Sequence, residues 1–595
     1  MNEVIQARLK ALRDQMRQSG VSATIIPQTD PHQSEYLSSH WQVRRWLTGF
    51  TGSAGDLLVT SDAAFLWADS RYWLQAAEQL AGTGVNVMED GKPETPSMID
   101  YICANLPAGS VVGVDGMLFS ISATKNLISH LENAGLELKV NFSPIDNVWV
   151  ERPSRPDSKV FVHDEKYAGA KAVDKMAAVL ANASRQGATA AFISDLAEIA
   201  WILNLRGSDV NCNPVVTSFL YLSPAGSVLF IDEAKVDESV RKYLLDSGVT
   251  LKPYTEIATF LGALPEDERV LLSATQSAGA LLGVLGIRAV VGTSPAAMLK
   301  AVKNDVQIAG VRNAMVRDGV ALVHSFMEIE RMVAANEPLT EMGVADLLLR
   351  NRKAGDLFFD LSFETIAGYA AHGAIVHYDP TPETDVRLFP ENLLLVDSGA
   401  NYFDGTTDIT RTIALGEPTA QQRRDFTLVM KGHIAIAKAI YPEGTRGAQL
   451  DVLARINLWK EGLSYLHGTG HGVGHFLNVH EGPQSIRLND TMAPLTPGMI
   501  TSNEPGLYRA GLYGIRCENL VLTTEAFTTE FGKFYKFETL TLFPFDLTLF
   551  DTDIMSDEEI RWVNDYHDMV RERLTPHLDE AAAKWLEKKT AHLTR

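Results

Sequence analysis

Cysteine, long apolar runs and positive charge are all scarce in this chain. Its 595 residues contain only three cysteines, which lie far apart and allow neither a disulfide framework nor a paired-cysteine metal site. No stretch approaches the roughly 18 uninterrupted apolar residues that a membrane helix needs. Lysine and arginine total 53 against 74 aspartates and glutamates, which gives a net charge of −21. That balance disfavours nucleic acid and anionic membranes as partners.

The beginning of the chain has no apolar core of the kind found in a secretion signal. Residues 1–20 form a charged, helix-like pattern, MNEVIQARLKALRDQMRQSG. The few scattered cysteines suit a reducing compartment. We therefore expect a cytoplasmic protein without a membrane segment.

The length is too great for one core and predicts several domains. Residues 20–69 and 187–232 resemble each other, since each has a helical lead-in, an apolar run after a glycine and a closing strand that ends in aspartate. Alternating helices and strands favour α/β domains, and the similarity indicates a duplication.

Two polar, proline-containing stretches divide the chain. ERPSRPD at 151–157 and GTSPA at 292–296 predict domains over 1–155, 156–300 and 301–595. The third part opens with a long helical pattern over 303–333, which Asn304 or Asp305 is placed to cap. Mixed helices and short strand pairs follow, as in an α+β catalytic domain, and a helical tail begins near Thr552.

Five residues of the third part occur in local sequences suited to metal binding. They are Asp397 in LLLVDSGA, Asp408 in GTTDITRT, His471 in HGTGHGVG, Glu504 in TSNEPGLY and Glu518 in GIRCENLV. Four carboxylates and one imidazole balance two divalent cations almost charge for charge. Two metals about 3.5–4 Å apart can clamp a hydroxide and a polarised carbonyl together, which is what a hydrolase needs. A carboxylate-rich set favours Mn²⁺ or a similarly hard ion over structural zinc.

Local spacing supports the two glutamates best. Glu504 and Glu518 are symmetric about Gly511, so a hairpin that turns at 510–512 places them opposite each other, within about 5 Å. Between 467 and 475 glycine alternates with other residues, which makes a helix improbable and predicts an extended segment with its odd-numbered side chains on one face.

The two aspartates are harder to bring together. A tight turn at Asp404–Gly405 pairs Asp397 with Thr412 and leaves Asp408 away from it. The spacing therefore predicts a looser or bulged connection between the two strands.

In order and spacing, DSGANYFDGTTDITRT, HGTGHGVG, NEPG and GIRCEN closely resemble the pita-bread metallopeptidases, specifically three-domain aminopeptidase P. RRWLTGFTGSAG and AWILNLRGSDVNCNPV resemble the two N-terminal domains of that family, so the resemblance covers nearly the whole chain. It implies an α/β and α+β multidomain fold, with two creatinase-type α/β domains followed by a pita-bread catalytic domain. It also implies two metal ions, commonly manganese, bound by the five residues above, and a homodimer formed through the N-terminal domains.

The resemblance carries over further residues. It implies catalytic roles for Glu504, His377, His480 and His467, and substrate binding by Arg71, His377, His471 and His480. Arg71 stands in ADSRY, where Ser70 departs from the usual DGRY of the family. His475 occupies a position that is often small or hydroxylated in relatives, and it receives no role. Arg516, two residues before Glu518, is the expected partner of a ligand carboxylate, with a surface ion pair as the alternative.

The implied activity is release of the first residue of a peptide whose second residue is proline, with a hydroxide bridging two metals as the nucleophile. Three alternatives stay open. A prolidase of the same fold cleaves Xaa-Pro dipeptides, creatinase works without metal, and the pita-bread modules of histone chaperones are not catalytic. The two extra N-terminal domains and the complete ligand set favour the aminopeptidase.

Overall fold

A computed structural model describes residues 2–595 of the chain. The chain forms two compact units. The N-terminal unit joins the residues up to Asp164 with Ala170–Lys300, and the C-terminal unit joins Glu165–Gly169 with Ala301–Arg595. Among the described residues, no helix combines the length and apolar character needed to cross a bilayer.

The N-terminal unit contains two six-stranded sheets with the same topology. With the strands of each sheet numbered along the chain, the spatial order is 4-3-2-1-5-6 in both. In each sheet the first strand pairs antiparallel with the second and parallel with the fifth. The predicted duplication is therefore confirmed. The strands are Ala23–Ile26, Asp56–Thr60, Ala64–Ala68, Asn86–Glu89, Val111–Gly113 and Glu137–Lys139 in the first sheet, and Ala190–Ile193, Phe219–Leu222, Ser227–Phe230, Val249–Lys252, Val270–Ser273 and Ala289–Gly292 in the second.

Helices cover these sheets, as α/β layers require. The central strands Ala23–Ile26 and Ala190–Ile193 are buried at every position, which is the pattern of strands covered on both faces. The helix Asn2–Gln18 confirms the predicted helical start, and it buries one side-chain stripe, made by Ile5, Leu9, Leu12 and Met16. The α-helices of this unit are Asn2–Gln18, Val43–Thr48, Trp73–Gln79, Met98–Asn105, Ile121–Asn133, Ile145–Val148, Ala172–Arg185, Leu196–Leu203, Glu238–Asp246, Ile257–Gly262, Ala280–Leu285 and Ala297–Ala301, the last of which ends at the boundary between the units.

The C-terminal unit contains the predicted long helix, Asp305–Ala334. Of the two predicted caps, Asn304 is the one used, because its side chain accepts from Gln307 N and the Gln307 side chain returns to the Asn304 backbone. The other α-helices of this unit are Glu165–Ala168, Glu341–Lys353, Ala420–Ala437, Gly447–Trp459, Asp557–Leu574 and Glu580–Lys589.

The predicted helical tail packs on its own unit. Trp585 Nε1 donates to Glu330 Oε2 at 2.9 Å, and Leu574 and Leu586 lie in the main apolar core of this unit. Through that core the helices pack against the strands that contain the predicted site residues.

Short antiparallel strands occupy the rest of the C-terminal unit. The strand Leu393–Ser398 lies between Ile366–Tyr369 and Ile409–Ala414, and a six-stranded sheet includes the neighbours Ile500–Asn503 and Gly470–Gly472. The remaining strands are Phe358–Leu361, Ala400–Tyr402, Gly405–Thr406, Ile440–Pro442, Glu481–Ile486, Gly506–Arg509, Tyr513–Arg516, Asn519–Thr529 and Gly532–Thr539, with Phe161–Val162 and Leu205–Arg206 as a separate pair in the N-terminal unit.

Candidate metal centre

The two aspartates lie on one hairpin whose turn comes one residue earlier than Asp404–Gly405. The two-residue turn is at 403–404, and in the resulting register Asp397 pairs with Thr410. Asp408, two residues before Thr410, therefore shares a face with Asp397 as its diagonal neighbour. The prediction of a looser connection is wrong, because moving the turn by one residue changes the pairing by two positions.

The two glutamates face each other as predicted. Gly506–Arg509 pairs with Tyr513–Arg516 around the turn at 510–512. The flanking strands continue the same register, with Asn503 opposite Asn519, and this places Glu504 opposite Glu518. The predicted hairpin is confirmed.

The segment around His471 is extended, as predicted, and forms the strand Gly470–Gly472. Its glycines lie directly against neighbouring backbone. A Cβ on Gly470 would lie 1.9 Å from Ser502 O, and one on Gly472 would lie 2.1 Å from Glu481 O. Glycine is therefore required on one face, while the other face presents the imidazole.

Side chains from these strands converge. Asp408, His471 and Glu518 each offer a ligand atom within 4.8 Å of the other two. His471 Nε2 lies 3.4 Å from Asp408 Oδ2 and 3.4 Å from Glu504 Oε1. His471 Nδ1 donates to Gly472 O at 2.9 Å, which directs Nε2 to the carboxylates in the way that metal-binding histidines are oriented.

The charges at this site are costly without cations. Burial raises the pKa of Asp397 to about 6, and the charges of Asp408 and Glu504 add to that shift while Arg516 opposes it. Burial, followed by the charges of the other three carboxylates, raises the pKa of Glu518 well above its ordinary value. Each shift shows that a carboxylate here is held against desolvation and like-charge repulsion.

The histidine responds to the same field. Burial favours the neutral ring of His471, but its hydrogen bond to Asp408 and the charges of Glu504 and Asp408 outweigh burial and raise its pKa to about 9. The site therefore attracts positive charge.

Two buried oxygen atoms test whether the residues fit metal ions. Asp397 Oδ1 and Glu518 Oε1 have no hydrogen-bond partner within residues 2–595. Buried carboxylate oxygens normally have hydrogen-bond partners, and these two belong to carboxylates whose pKa is raised by burial and by neighbouring negative charges. Hard divalent cations prefer such oxygens, so the donor set fits two of them.

Neighbouring side chains hold the carboxylates in place. Arg516 is only 1% exposed and donates from Nη2 to Asp397 Oδ2 at 2.7 Å, so the alternative of a surface ion pair is wrong. Thr410 Oγ1 donates to Glu518 Oε2 at 2.7 Å, and Ser502 Oγ donates to Glu504 Oε1 at 3.0 Å.

Sequence reasoning missed Thr410, Ser502 and Tyr508. Thr410 and Ser502 each stand two residues from a predicted ligand, so the period of a strand was a signal that pointed to them. The Tyr508 hydroxyl accepts from Arg516 Nη1 at 2.8 Å and lies 2.8 Å from His467 Nε2. Nothing in the spacing of NEPGLY indicated that contact.

The predicted histidines have different surroundings. The rings of His480 and His471 lie edge to face with centroids 4.3 Å apart, so His480 borders the cluster. His467 contacts Tyr508, as above. His377 is half-buried and follows the strand Ile366–Tyr369, which pairs with the strand of Asp397. His475 is buried, and we assign it no catalytic role.

Arg71 lies in the N-terminal unit. Its guanidinium donates from Nε and Nη2 to the Asp69 carboxylate at 3.0 and 2.7 Å, and its backbone N–H donates to Asp69 Oδ1 at 3.0 Å. These three hydrogen bonds hold the guanidinium against Asp69, next to Ser70, the residue that differs from the DGRY motif. Its substrate-binding role stays a prediction.

Known families match this chain along most of its length. The sequence model of Metallopeptidase family M24 matches residues 309–525, and the C-terminal region of peptidase M24 matches 533–593. Models of the Creatinase/Prolidase N-terminal domain match 8–149 and 151–307.

Individual relatives cover nearly the whole chain. Aminopeptidase P2 of Arabidopsis thaliana is 40% identical over 100% of this chain and 89% of its own length. A probable Xaa-Pro aminopeptidase P of Laccaria bicolor is 39% identical over 98% of this chain and 93% of its own. The crystal structure of X-prolyl aminopeptidase from Caenorhabditis elegans, described as a cytosolic enzyme with a di-nuclear active site, is 35% identical and superposes with a TM-score of 0.93 over 96% of this chain and 95% of that one.

Three observations indicate the same family: the cluster of possible metal ligands, the two α/β domains that precede it in the chain, and the full-length similarity to relatives. The chain belongs to metallopeptidase family M24, in its aminopeptidase P branch, with two creatinase-type N-terminal domains followed by a pita-bread catalytic domain.

Proposed function

We propose that this protein is a metal-dependent Xaa-Pro aminopeptidase, which hydrolyses the first peptide bond of peptides whose second residue is proline. The observation that carries the proposal is the convergence of Asp408, His471 and Glu518, with Asp397 and Glu504 beside them, in a chain similar over its full length to Xaa-Pro aminopeptidases.

The residues that would hold two divalent cations are Asp397, Asp408, His471, Glu504 and Glu518. When bound, such ions lower the pKa of water and polarise a carbonyl. Mn²⁺ is our proposal for their identity, because oxygen donors dominate this set.

Glu504 is the proposed proton carrier. Its Oε1 lies 3.4 Å from His471 Nε2 and accepts a hydrogen bond from the Ser502 hydroxyl, contacts that support its proposed role of taking a proton from the attacking water. It then returns that proton to the proline nitrogen as the C–N bond breaks. A proline amide has no N–H, so recognition depends on shape and on its carbonyl neighbours.

The histidines are proposed to act on the substrate. We propose that His480 donates to the scissile carbonyl as negative charge develops on its oxygen, and its edge-to-face contact with His471 supports this role. We propose the same kind of contact for His377, while His467 and Arg71 shape the binding of the proline and of the rest of the peptide.

The first test is metal dependence. Protein treated with a chelator should lose turnover of a peptide of the form Xaa-Pro-Xaa, and Mn²⁺ should restore it. Glu504→Ala and His471→Ala should abolish turnover, with His475→Ala as the matched histidine control outside the proposed ligand set. Wild-type activity in either ligand variant would sink the metal assignment.

The second test separates the alternatives within the fold. Release of the first residue from Xaa-Pro-Xaa is expected. A protein that cleaves only the dipeptide Xaa-Pro is a prolidase, and a protein that is inert with Mn²⁺ and binds no metal is a non-catalytic module.

Assembly and location belong to the same proposal. We propose a cytoplasmic homodimer, supported by the family resemblance and by the C. elegans relative, which is described as cytosolic. Light scattering should give twice the chain mass of 65.3 kDa. We further propose the domain division 1–155, 156–300 and 301–595, with limited proteolysis expected to cut near its boundaries.

A further inference from the structure

Lys303 and Glu481 form a buried ion pair that the proposed chemistry does not use. Each side chain is only 1% exposed, and Lys303 Nζ also donates to Ala301 O at 3.3 Å. A buried charge is retained at a high desolvation cost, and removing one partner leaves the other without compensation. Because this pair lies beside the proposed metal site, its effect on the positions of the site residues can explain why it is retained.

Glu481 lies between two site histidines. It directly follows His480 in the chain, and it pairs across the sheet with Gly472, the residue after His471. The two backbones are in close contact, because a Cβ on Gly472 would lie 2.1 Å from Glu481 O. A displacement of Glu481 therefore moves His480 relative to His471.

The backbone of Lys303 is tied to the strand that leads to Glu504. Lys303 N donates to Gly498 O at 2.9 Å, and Val302 forms a bridge with Met499. The next residues form the strand Ile500–Asn503, directly before Glu504. Lys303 thus contacts the segment that leads to Glu504 through its backbone, and it contacts Glu481, the residue after His480, through its side chain.

We propose that Lys303 is a positioning residue, which through its ion pair with Glu481 holds His480 against His471 and Glu504 in the geometry needed for turnover. The expected loss of kcat rests on the proposed function. The expected displacement of His480 rests on the geometry alone. In this role Lys303 acts through Glu481 and His480.

The test compares Lys303→Met, Glu481→Gln and the double variant Lys303→Met/Glu481→Gln. Each single variant should lower the thermal unfolding midpoint, because it removes one charge of a buried ion pair and leaves the opposite charge buried, and the double variant should recover most of that loss. In the double variant, kcat on Xaa-Pro-Xaa should stay at least tenfold below wild type, with KM and bound metal changed less than threefold. A double variant with wild-type kcat would overturn the proposal, as would single variants that change neither the midpoint nor kcat.

A matched control removes a second buried lysine–carboxylate pair, which Lys235 forms with Asp209 in the N-terminal unit. Lys235→Met/Asp209→Asn should change stability in the same way and leave kcat within twofold of wild type. A drop in kcat equal to that of the Lys303 double variant would mean that the effect is general loss of stability.

A second readout separates this inference from the proposed function. In metal-free protein, modification of His480 by diethylpyrocarbonate, mapped by mass spectrometry, should be several-fold faster in the Lys303 double variant than in wild type or the control. If wild type fails to cleave any Xaa-Pro peptide, the function is wrong and this rate alone decides the inference, with an unchanged rate refuting it.

Discussion

Gly470→Ala adds only one methyl group, and the structure predicts that it has a large effect on the site. The new Cβ would lie 1.9 Å from Ser502 O and 2.9 Å from Ser502 C. Neither atom belongs to a flexible side chain, so one strand must move. Ordinary contact begins near 3.4 Å, and a displacement of about 1.5 Å is therefore needed.

That displacement acts directly on the site. His471 N donates to Ser502 Oγ at 2.9 Å, and the same hydroxyl donates to Glu504 Oε1 at 3.0 Å. Moving the strands apart separates His471 from Glu504. A misplacement of about 1 Å costs roughly 100-fold in rate, so we expect kcat/KM to fall at least 100-fold. Overpacking should also cost about 1–3 kcal/mol of stability.

Gly468→Ala is the matched control, because it lies in the same glycine-rich segment. The nearest atom to its Cβ would be Arg487 Cβ at 3.5 Å, which is ordinary contact. We expect kcat/KM within threefold of wild type. The assay is release of the first residue from an Xaa-Pro-Xaa peptide with Mn²⁺, alongside thermal unfolding and metal content. Equal activity of the two alanine variants would refute the argument that backbone contact at Gly470 sets the site geometry.

Two further predictions concern groups outside the cluster. The Glu341 carboxylate is fully buried and accepts hydrogen bonds from Tyr369 N and from the Tyr378 hydroxyl, at 2.8 Å each. Glu341→Gln should therefore loosen the segment that contains His377 and lower kcat/KM about 10- to 100-fold. Kinetics should show this loss, and metal analysis should show an unchanged metal content. Burial, with help from neighbouring arginines, lowers the pKa of His567 to about 3. In the unfolded chain the His567 ring takes up a proton near pH 6.5, whereas in the folded protein it stays neutral. The free energy of unfolding should therefore decrease as pH falls below 6.5, by about 1.4 kcal/mol per pH unit for this residue. Unfolding midpoints at pH 7 and 5 should show a smaller loss in His567→Gln, and an equal loss would contradict this source of acid sensitivity.

Local patterns predicted those parts of the fold in which one element decides its own geometry. The symmetry about Gly511 gave the correct register for Glu504 and Glu518, and Asn304 was one of two caps named for the long helix. The turn between the aspartates was misplaced because several adjacent residues there can form a two-residue turn. Contacts elsewhere in the fold select among them.

The sequence by itself indicated the residues that we propose as metal ligands and their order, and it determined the extended histidine segment and the duplication that precedes it in the chain. These follow from periodicity, glycine chemistry and resemblance, which need no knowledge of distant contacts. Only the tertiary structure decided that Arg516 binds Asp397, that Tyr508 meets His467 and that Lys303 reaches Glu481. The last pair is 178 residues apart in the chain, and packing of separate strands against one helix start, which no local pattern encodes, brings its members together.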